Sequence, residues 1–152
     1  MVLQSLLSCS AISKKSYRLS SGQQIDIVVN NYPFRGKTNY SIGKDSILIS
    51  QSVGNDSLAN DVGGVSIRKG LYAPFEGIMT DFAEDQYVLP CIEDGVNFDL
   101  MFTSNDTLLH TVRISNTYHE GFGEIVKFLN RNVDDNFEIS YDEDYLQSLE
   151  CE

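Results

Sequence analysis

The sequence predicts an α+β fold, a single domain over residues 1–152 in which an antiparallel sheet of hairpins and a β-meander packs with two C-terminal helices. Three observations carry that expectation. Val96–Phe102 alternates, with Val96, Phe98, Leu100 and Phe102 on one face and Asn97 and Asp99 on the other, the period of a half-buried strand. Thr117-Tyr118-His119-Glu120 has the T-x-x-E form of a capping box, and behind it Tyr118, Phe122, Ile125 and Leu129 recur at helical spacing. Finally, the strand-like stretches come first and the helical ones last, which indicates a sheet covered on one side.

Taken in order, residues 1–13 hold Leu3, Leu6, Leu7 and Ile12, enough for a short strand or a helical turn. Tyr17–Leu19 and Gln24–Asn30 suggest a hairpin around Ser21-Gly22. Asn31–Asn39, punctuated by Pro33 and Gly36, reads as a loop, and Ile42–Ser50 as a strand. Ser52–Gly64, rich in Ser, Asn, Asp and Gly, reads as a surface loop with one helical turn near Leu58. Val65–Arg68 is a short strand, Gly70–Gly77 an aromatic, turn-rich segment, and Ile78–Phe82 a strand or turn. The meander then takes Gln86–Ile92, Val96–Phe102 and Thr107–Ser115, with turns at Glu93-Asp94-Gly95 and Ser104-Asn105-Asp106. After the first helix, Phe137-Glu138-Ile139 is a short apolar return. Ser140-Tyr141-Asp142-Glu143 repeats the capping-box form and opens a final helix reaching Glu150, with Tyr141, Tyr145, Leu146 and Leu149 toward the core.

A chain of 152 residues that is 41% hydrophobic can bury a core without metal or disulfide staples. No apolar run approaches the roughly 20 residues of a membrane helix, and the Leu6-Leu7-Ser8-Cys9 stretch lacks the preceding basic residue of an export signal. Cys9, Cys91 and Cys151 are odd in number and form no C-x-x-C pair, so free thiols and a cytoplasmic location are expected, with Cys91 as a small core residue in its strand and Cys151 inert in the tail. Charge is distributed unevenly. Residues 1–75 carry 8 Lys/Arg against 4 Asp/Glu, and residues 76–152 carry 3 against 18, so the second half generates nearly all of the net −11. Such a field repels nucleic acid and anionic membrane and speeds encounter with a basic protein.

The motifs of chemistry are sparse. Gly63-Gly64 is not followed by G-K-[ST], and Gly121-Phe122-Gly123 falls inside a helix, so neither fits a nucleotide fingerprint; those helical glycines are expected to let the helix approach the sheet. Counted from Asp134, the sixth and twelfth positions of a calcium loop hold Ile139 and Tyr145 instead of Gly and Glu. His110 and His119 have no metal-ligand companions at zinc spacing. No G-x-S-x-G elbow occurs, and Cys91 with His110 or His119 could make a thiol–imidazole pair, set against a buried structural cysteine. No cofactor or metal is expected, and the chain is read as a non-enzyme.

An interaction surface remains. Glu84-Asp85, Glu93-Asp94, Asp134-Asp135 and Asp142-Glu143-Asp144 fall in turns and at helix ends, beside Tyr87, Tyr141 and Tyr145. Carboxylates near tyrosines would steer and anchor a basic protein partner. This small, acidic, cysteine-poor α+β profile without a catalytic motif resembles bacterial immunity proteins, including those of contact-dependent growth inhibition systems. The resemblance is of general character; no motif aligns, and no residue role carries over. It implies an inhibitor that binds one cognate toxin, often a basic nuclease, does no chemistry, and contacts neither nucleic acid nor membrane directly. Two other classes fit the same composition: a nucleic-acid mimic that blocks a DNA- or RNA-binding protein, and a small hydrolase or ligand-binding domain with a pocket under Gly70–Gly77.

Overall fold

The computed structural model describes residues 19–31, 36–53, 60–67, 75–92 and 95–151. They form a seven-stranded sheet in the order β4-β3-β2-β1-β6-β7-β5, built from β1 (Gln23–Asn31), β2 (Gly36–Ile42), β3 (Ser46–Val53), β4 (Asn60–Ser66), β5 (Gln86–Val88), β6 (Asn97–Ser104) and β7 (Thr107–Ser115). All neighbours are antiparallel except β5, which runs parallel to β7. Three helices accompany the sheet: α1 (Phe75–Thr80), α2 (Glu120–Asn130) and α3 (Glu143–Gln147). The expected α+β domain with two C-terminal helices is what the chain forms.

Alternation decides which face is covered. Ile25, Ile27 and Val29 of β1, Tyr40 and Ile42 of β2, Ile47 and Ile49 of β3, Phe98, Leu100 and Phe102 of β6, and Val112 and Ile114 of β7 point to one side and are buried. On that side α2 lays down Phe122, Ile125, Val126, Phe128 and Leu129, while Phe75, Ile78 and Phe82 close the end near α1. Each large side chain so buried stabilises the fold by about 1.5–3 kcal/mol. The opposite face has no covering layer among the described residues. Its side chains bond one another: Ser41 Oγ to Asp26 Oδ1 (2.5 Å), Asn39 Nδ2 to Ser50 Oγ (3.4 Å), and Arg113 Nε to Asp99 Oδ1 (2.8 Å).

Several elements depart from expectation. The first meander strand, predicted over Gln86–Ile92, shrinks to Gln86–Val88 and joins the far edge beside β7 instead of pairing with β6; Pro90 has no N–H for a ladder, and the chain turns there. Within the predicted loop Ser52–Gly64 the described residues are strand, since β3 runs to Val53 and β4 begins at Asn60, pairing through Gly63 and Gly64, while residues 54–59 lie outside the described residues. Likewise β2 starts at Gly36 inside the predicted loop Asn31–Asn39, and Ile42 ends β2 instead of opening the next strand. Ile78–Phe82 contributes to a helix, not a strand, and Phe137 belongs to a 3-10 turn, Asp135–Phe137. Residues 1–18, Leu58 and Gly70–Pro74 lie outside the described residues. Of the Tyr17–Leu19 arm of the expected hairpin, Leu19 alone is described and is buried, and the described neighbours of β1 are β2 and β6.

Both capping boxes slip by two residues. α2 is capped by His119, whose Nδ1 accepts from the Phe122 N–H (3.4 Å), and α3 by Asp142, whose Oδ1 accepts from the Tyr145 N–H (2.7 Å). An imidazole nitrogen can accept as a Ser or Thr oxygen does, and the turn before α2 sets the start: Asn116 has φ 54° and donates its Nδ2 to the Ile92 carbonyl (2.9 Å). α3 stops at Gln147, short of Glu150, and turns Tyr145 outward. The two helical glycines do not serve the sheet. A Cβ on Gly123 would lie 2.5 Å from the Tyr118 hydroxyl, and one on Gly121 would lie 3.1 Å from Asp81 Cβ.

Candidate partner-binding surface

The charge asymmetry of the sequence becomes an asymmetry between faces. Residues 75–82 and 119–151, which include the covering helices and the tail, hold 11 Asp/Glu against Lys127 and Arg131. On the open sheet face the charged strand side chains whose burial is described are Asp26 and Asp99 against Lys37 and Arg113, with Asp85 beside them at the β7 edge. The negative field therefore belongs to the helical side.

Within it, the predicted partner-binding residues separate by role. Asp134 and Asp135 stand exposed before and within the 3-10 turn, where no basic residue answers them in that turn. Asp142, Glu143 and Asp144 are exposed at the start of α3. Glu143 and burial together raise the Tyr118 phenol pKa, burial being the larger cause, which places Glu143 beside that ring. Tyr145, 62% exposed, stands next to them as an available aromatic. Tyr141 is turned inward and half-buried: its ring meets Phe98, Phe122 and Tyr118 at 5.5, 4.8 and 5.2 Å, and its hydroxyl accepts from the His119 N–H (2.7 Å) and donates to the Thr117 carbonyl (3.0 Å). Burial pushes its pKa up to about 12.

Glu84 and Asp85 are exposed on the approach to β5, apart from the α3 group. Tyr87 between them and the core is half-buried, packed against Phe82 (6.4 Å) and His119 (4.4 Å), and its hydroxyl accepts from the Glu84 N–H (3.1 Å). Of the three tyrosines, Tyr145 alone is left as a free anchor. Glu93 and Asp94 lie outside the described residues.

The cysteine reading is corrected outright. Cys91 is not a core thiol in a strand: it is exposed in the turn after β5 and bonded to Cys151, 60 residues away, with Cα atoms 5.6 Å apart. The bridge clips the tail beyond α3 to that turn, and it leaves Cys91 no thiolate to pair with a histidine. His119 is occupied as a helix cap stacked on Phe82 (4.5 Å), where burial lowers its pKa against the opposing pull of Asp81. Nothing in the spacing of two cysteines 60 residues apart announces their pairing, because the contact is made by the tertiary fold alone.

A second region was not foreseen. An open cleft of about 510 Å³ runs along β7, lined among others by Asp85, Asp99, Leu108, Leu109, His110 and Arg113. His110 Nδ1 lies 3.6 Å from Asp85 Oδ1, and its Nε2 is buried without a hydrogen-bond partner among the described residues. Its sequence signal was the unbroken Leu108-Leu109 pair in an otherwise alternating strand. Among the described residues no three His, Cys, Asp or Glu side chains cluster as metal ligands, and no helix is long and apolar enough to cross a membrane.

Comparison with protein-family models, with curated proteins and with solved structures finds no match to this chain. The functional reading accordingly rests on the chemistry of its own surface.

Proposed function

We propose that the protein is a non-catalytic binding protein, an immunity protein that neutralises a basic cognate toxin such as a nuclease. The observation that carries this reading is the one-sided charge: the helical side holds 11 carboxylates against two basic residues, one of which, Lys127, is already paired with Glu124 (2.9 Å). Exposed carboxylates in turns and at helix starts attract a basic surface at long range, and Tyr145 offers a contact beside those of α3. The reading as an immunity protein carries a cytoplasmic location with it, and the Cys91–Cys151 bridge is the observation that pulls against that location, since such bridges persist in oxidising compartments. A disulfide recovered from alkylated cells would move its action to an oxidising compartment.

The test is capture of partners by the tagged full chain from lysate of its own host at low salt, followed by a salt ramp. A single basic protein, retained tightly and losing its toxicity or nuclease activity on binding, is the expected result. The triple variant Asp142→Asn, Glu143→Gln, Asp144→Asn should bind it more weakly and with a shallower salt dependence. An unchanged affinity and salt slope would refute the placement of the surface. Recovery of nucleic-acid-binding proteins that duplex DNA displaces would replace the reading with that of a nucleic-acid mimic.

A further inference from the structure

The ladder on the outer side of β7 is occupied by β5 over only three of its nine residues. β5 covers Arg113–Ser115, with the Arg113 N–H donating to the Asp85 carbonyl (2.8 Å) and the Leu89 N–H to the Ser115 carbonyl (3.0 Å). Main-chain groups of alternate residues point to the same side of a strand, so those of Thr111 point outward as those of Arg113 do. No strand lies against Thr111 on that side among the described residues.

The adjoining side chains are not those of a blunted edge. Natural edges are protected by charge, proline or shortness, yet Leu108 and Leu109 are 57% and 48% exposed here. A bulge produces this. Phe102 pairs with His110 but Thr103 pairs with Leu108, so Leu109 is the extra residue. Without the bulge, Leu108 would share the inner face with His110, Val112 and Ile114; with it, Leu108 lies opposite Thr103 on the open side. The result is a pair of leucines at the foot of a free strand edge, with the 510 Å³ cleft alongside.

Charge defines the other end. Asp99 is neutralised by Arg113 (2.8 Å) and also accepts from Asn30 Nδ2 (3.3 Å). Asp85, with its side chain 83% exposed and, among the described residues, His110 alone within 4 Å as a possible cation at 3.6 Å, is the least compensated group where β5 begins, and exposed Glu84 adjoins it. We propose that the free edge of β7 from Leu108 to Thr111 is a docking edge, where a basic partner adds an extended segment to the sheet, sets apolar side chains on Leu108 and Leu109, and brings a Lys or Arg to Asp85. Main-chain bonds would supply affinity and the side-chain contacts selectivity, as in other strand additions. The proposal rests on the basic-partner reading above but names a different surface from α3.

The test uses the isotopically labelled full chain and a blocked seven-residue peptide of alternating Lys and Val. Titration should shift the resonances of Leu108–Thr111 and slow exchange of the Thr111 amide at least tenfold. The same peptide N-methylated on its bonding edge, identical in charge, should bind at least tenfold more weakly, as should a Glu/Val peptide. Asp85→Asn should weaken the parent peptide severalfold, and Thr111→Pro, which removes an outward N–H, should abolish the protection. If Thr111→Pro does not fold, the N-methylated peptide decides alone. Equal binding of the N-methylated peptide, or shifts confined to the helical side, would overturn the proposal. So would Thr111 protection that grows with protein concentration in the absence of peptide, since that would assign the edge to a second copy of the chain. Failure here, with the α3 variants still weakening a captured basic partner, would remove the docking edge and leave the immunity reading standing; peptide docking with no basic partner captured would do the reverse.

Discussion

Removing one oxygen from Tyr141 should destabilise the protein by about 2 kcal/mol, the worth of two hydrogen bonds. In Tyr141→Phe the ring keeps its neighbours Phe98, Phe122 and Tyr118, so no cavity forms and the change isolates the hydroxyl. That hydroxyl joins two main-chain groups at the entrance to α2, accepting from His119 N and donating to Thr117 O. Each lost bond costs about 1 kcal/mol, more where water cannot replace it. A loss of about 2 kcal/mol corresponds to roughly 4–8 °C in a chain of this length. The measurement is urea unfolding followed by far-ultraviolet circular dichroism, with the slope unchanged and the midpoint lowered. The variant should also change the alkaline limb. A phenol held neutral to about 12 in the folded chain but ionising near 10 when unfolded stabilises the fold below pH 10, and that stability is lost as the pH rises from 10 toward 12. Tyr141→Phe should remove part of that loss, leaving the shares due to Tyr40 and Tyr118, which burial also raises. A midpoint shift worth under about 0.5 kcal/mol would show that the hydroxyl's bonds are fully replaced by water, and would refute the role given to it.

Two further outcomes follow from the geometry. Cys151→Ser should lower stability by well under the about 4 kcal/mol that closing a loop of this span can supply, because α3 buries no residue and the tail can loosen while the sheet persists; a loss of the full amount, with unchanged hydrogen exchange over residues 142–151, would contradict this. His119 has a lowered pKa, so as the pH falls below 6.5 the unfolded chain takes up a proton that the folded chain resists, and stability declines through that window. His119→Asn keeps a capping side chain and should flatten the decline between pH 7 and 5 in parallel urea titrations; equal slopes would assign it to other groups.

What was legible in the chain was whatever a local period records. Phe98, Leu100 and Phe102, and Phe122, Ile125 and Leu129, declare their buried faces by spacing alone, and the structure buries all six. Partnership was not legible. Nothing in Gln86–Val88 says that it runs parallel to β7 across an intervening hairpin, and Gly63-Gly64 looks like a loop until β3 offers a ladder. The caps moved because His119 and Asp142 compete as acceptors with Thr117 and Ser140, and the turn at Asn116 decides the first contest. For the surface, sequence placed the acids but not the inward turn of Tyr87 and Tyr141, which depends on a core assembled from distant elements.

The place of β1 at the centre of the sheet also imposes a timetable on synthesis. Its residue Ile27 is bonded into register with Tyr40 on one side but with Leu100 on the other, and the helix that covers both, α2, is complete only at Asn130. At the usual pace of translation, roughly 3–13 s separate the appearance of Ser66 from that of Asn130. Through that interval the four-stranded half-sheet carries Ile25, Ile27, Ile42, Ile47 and Ile49 on one side with α2 still to come. Its other side is already furnished with Asp26, Asn39, Ser41 and Ser50, bonded among themselves in the finished fold. The nascent sheet thus carries its continuous apolar face on one side, and the polar ladder that looks idle in the folded protein, interrupted by exposed Leu48, narrows its exposure to neighbouring chains while the rest is made.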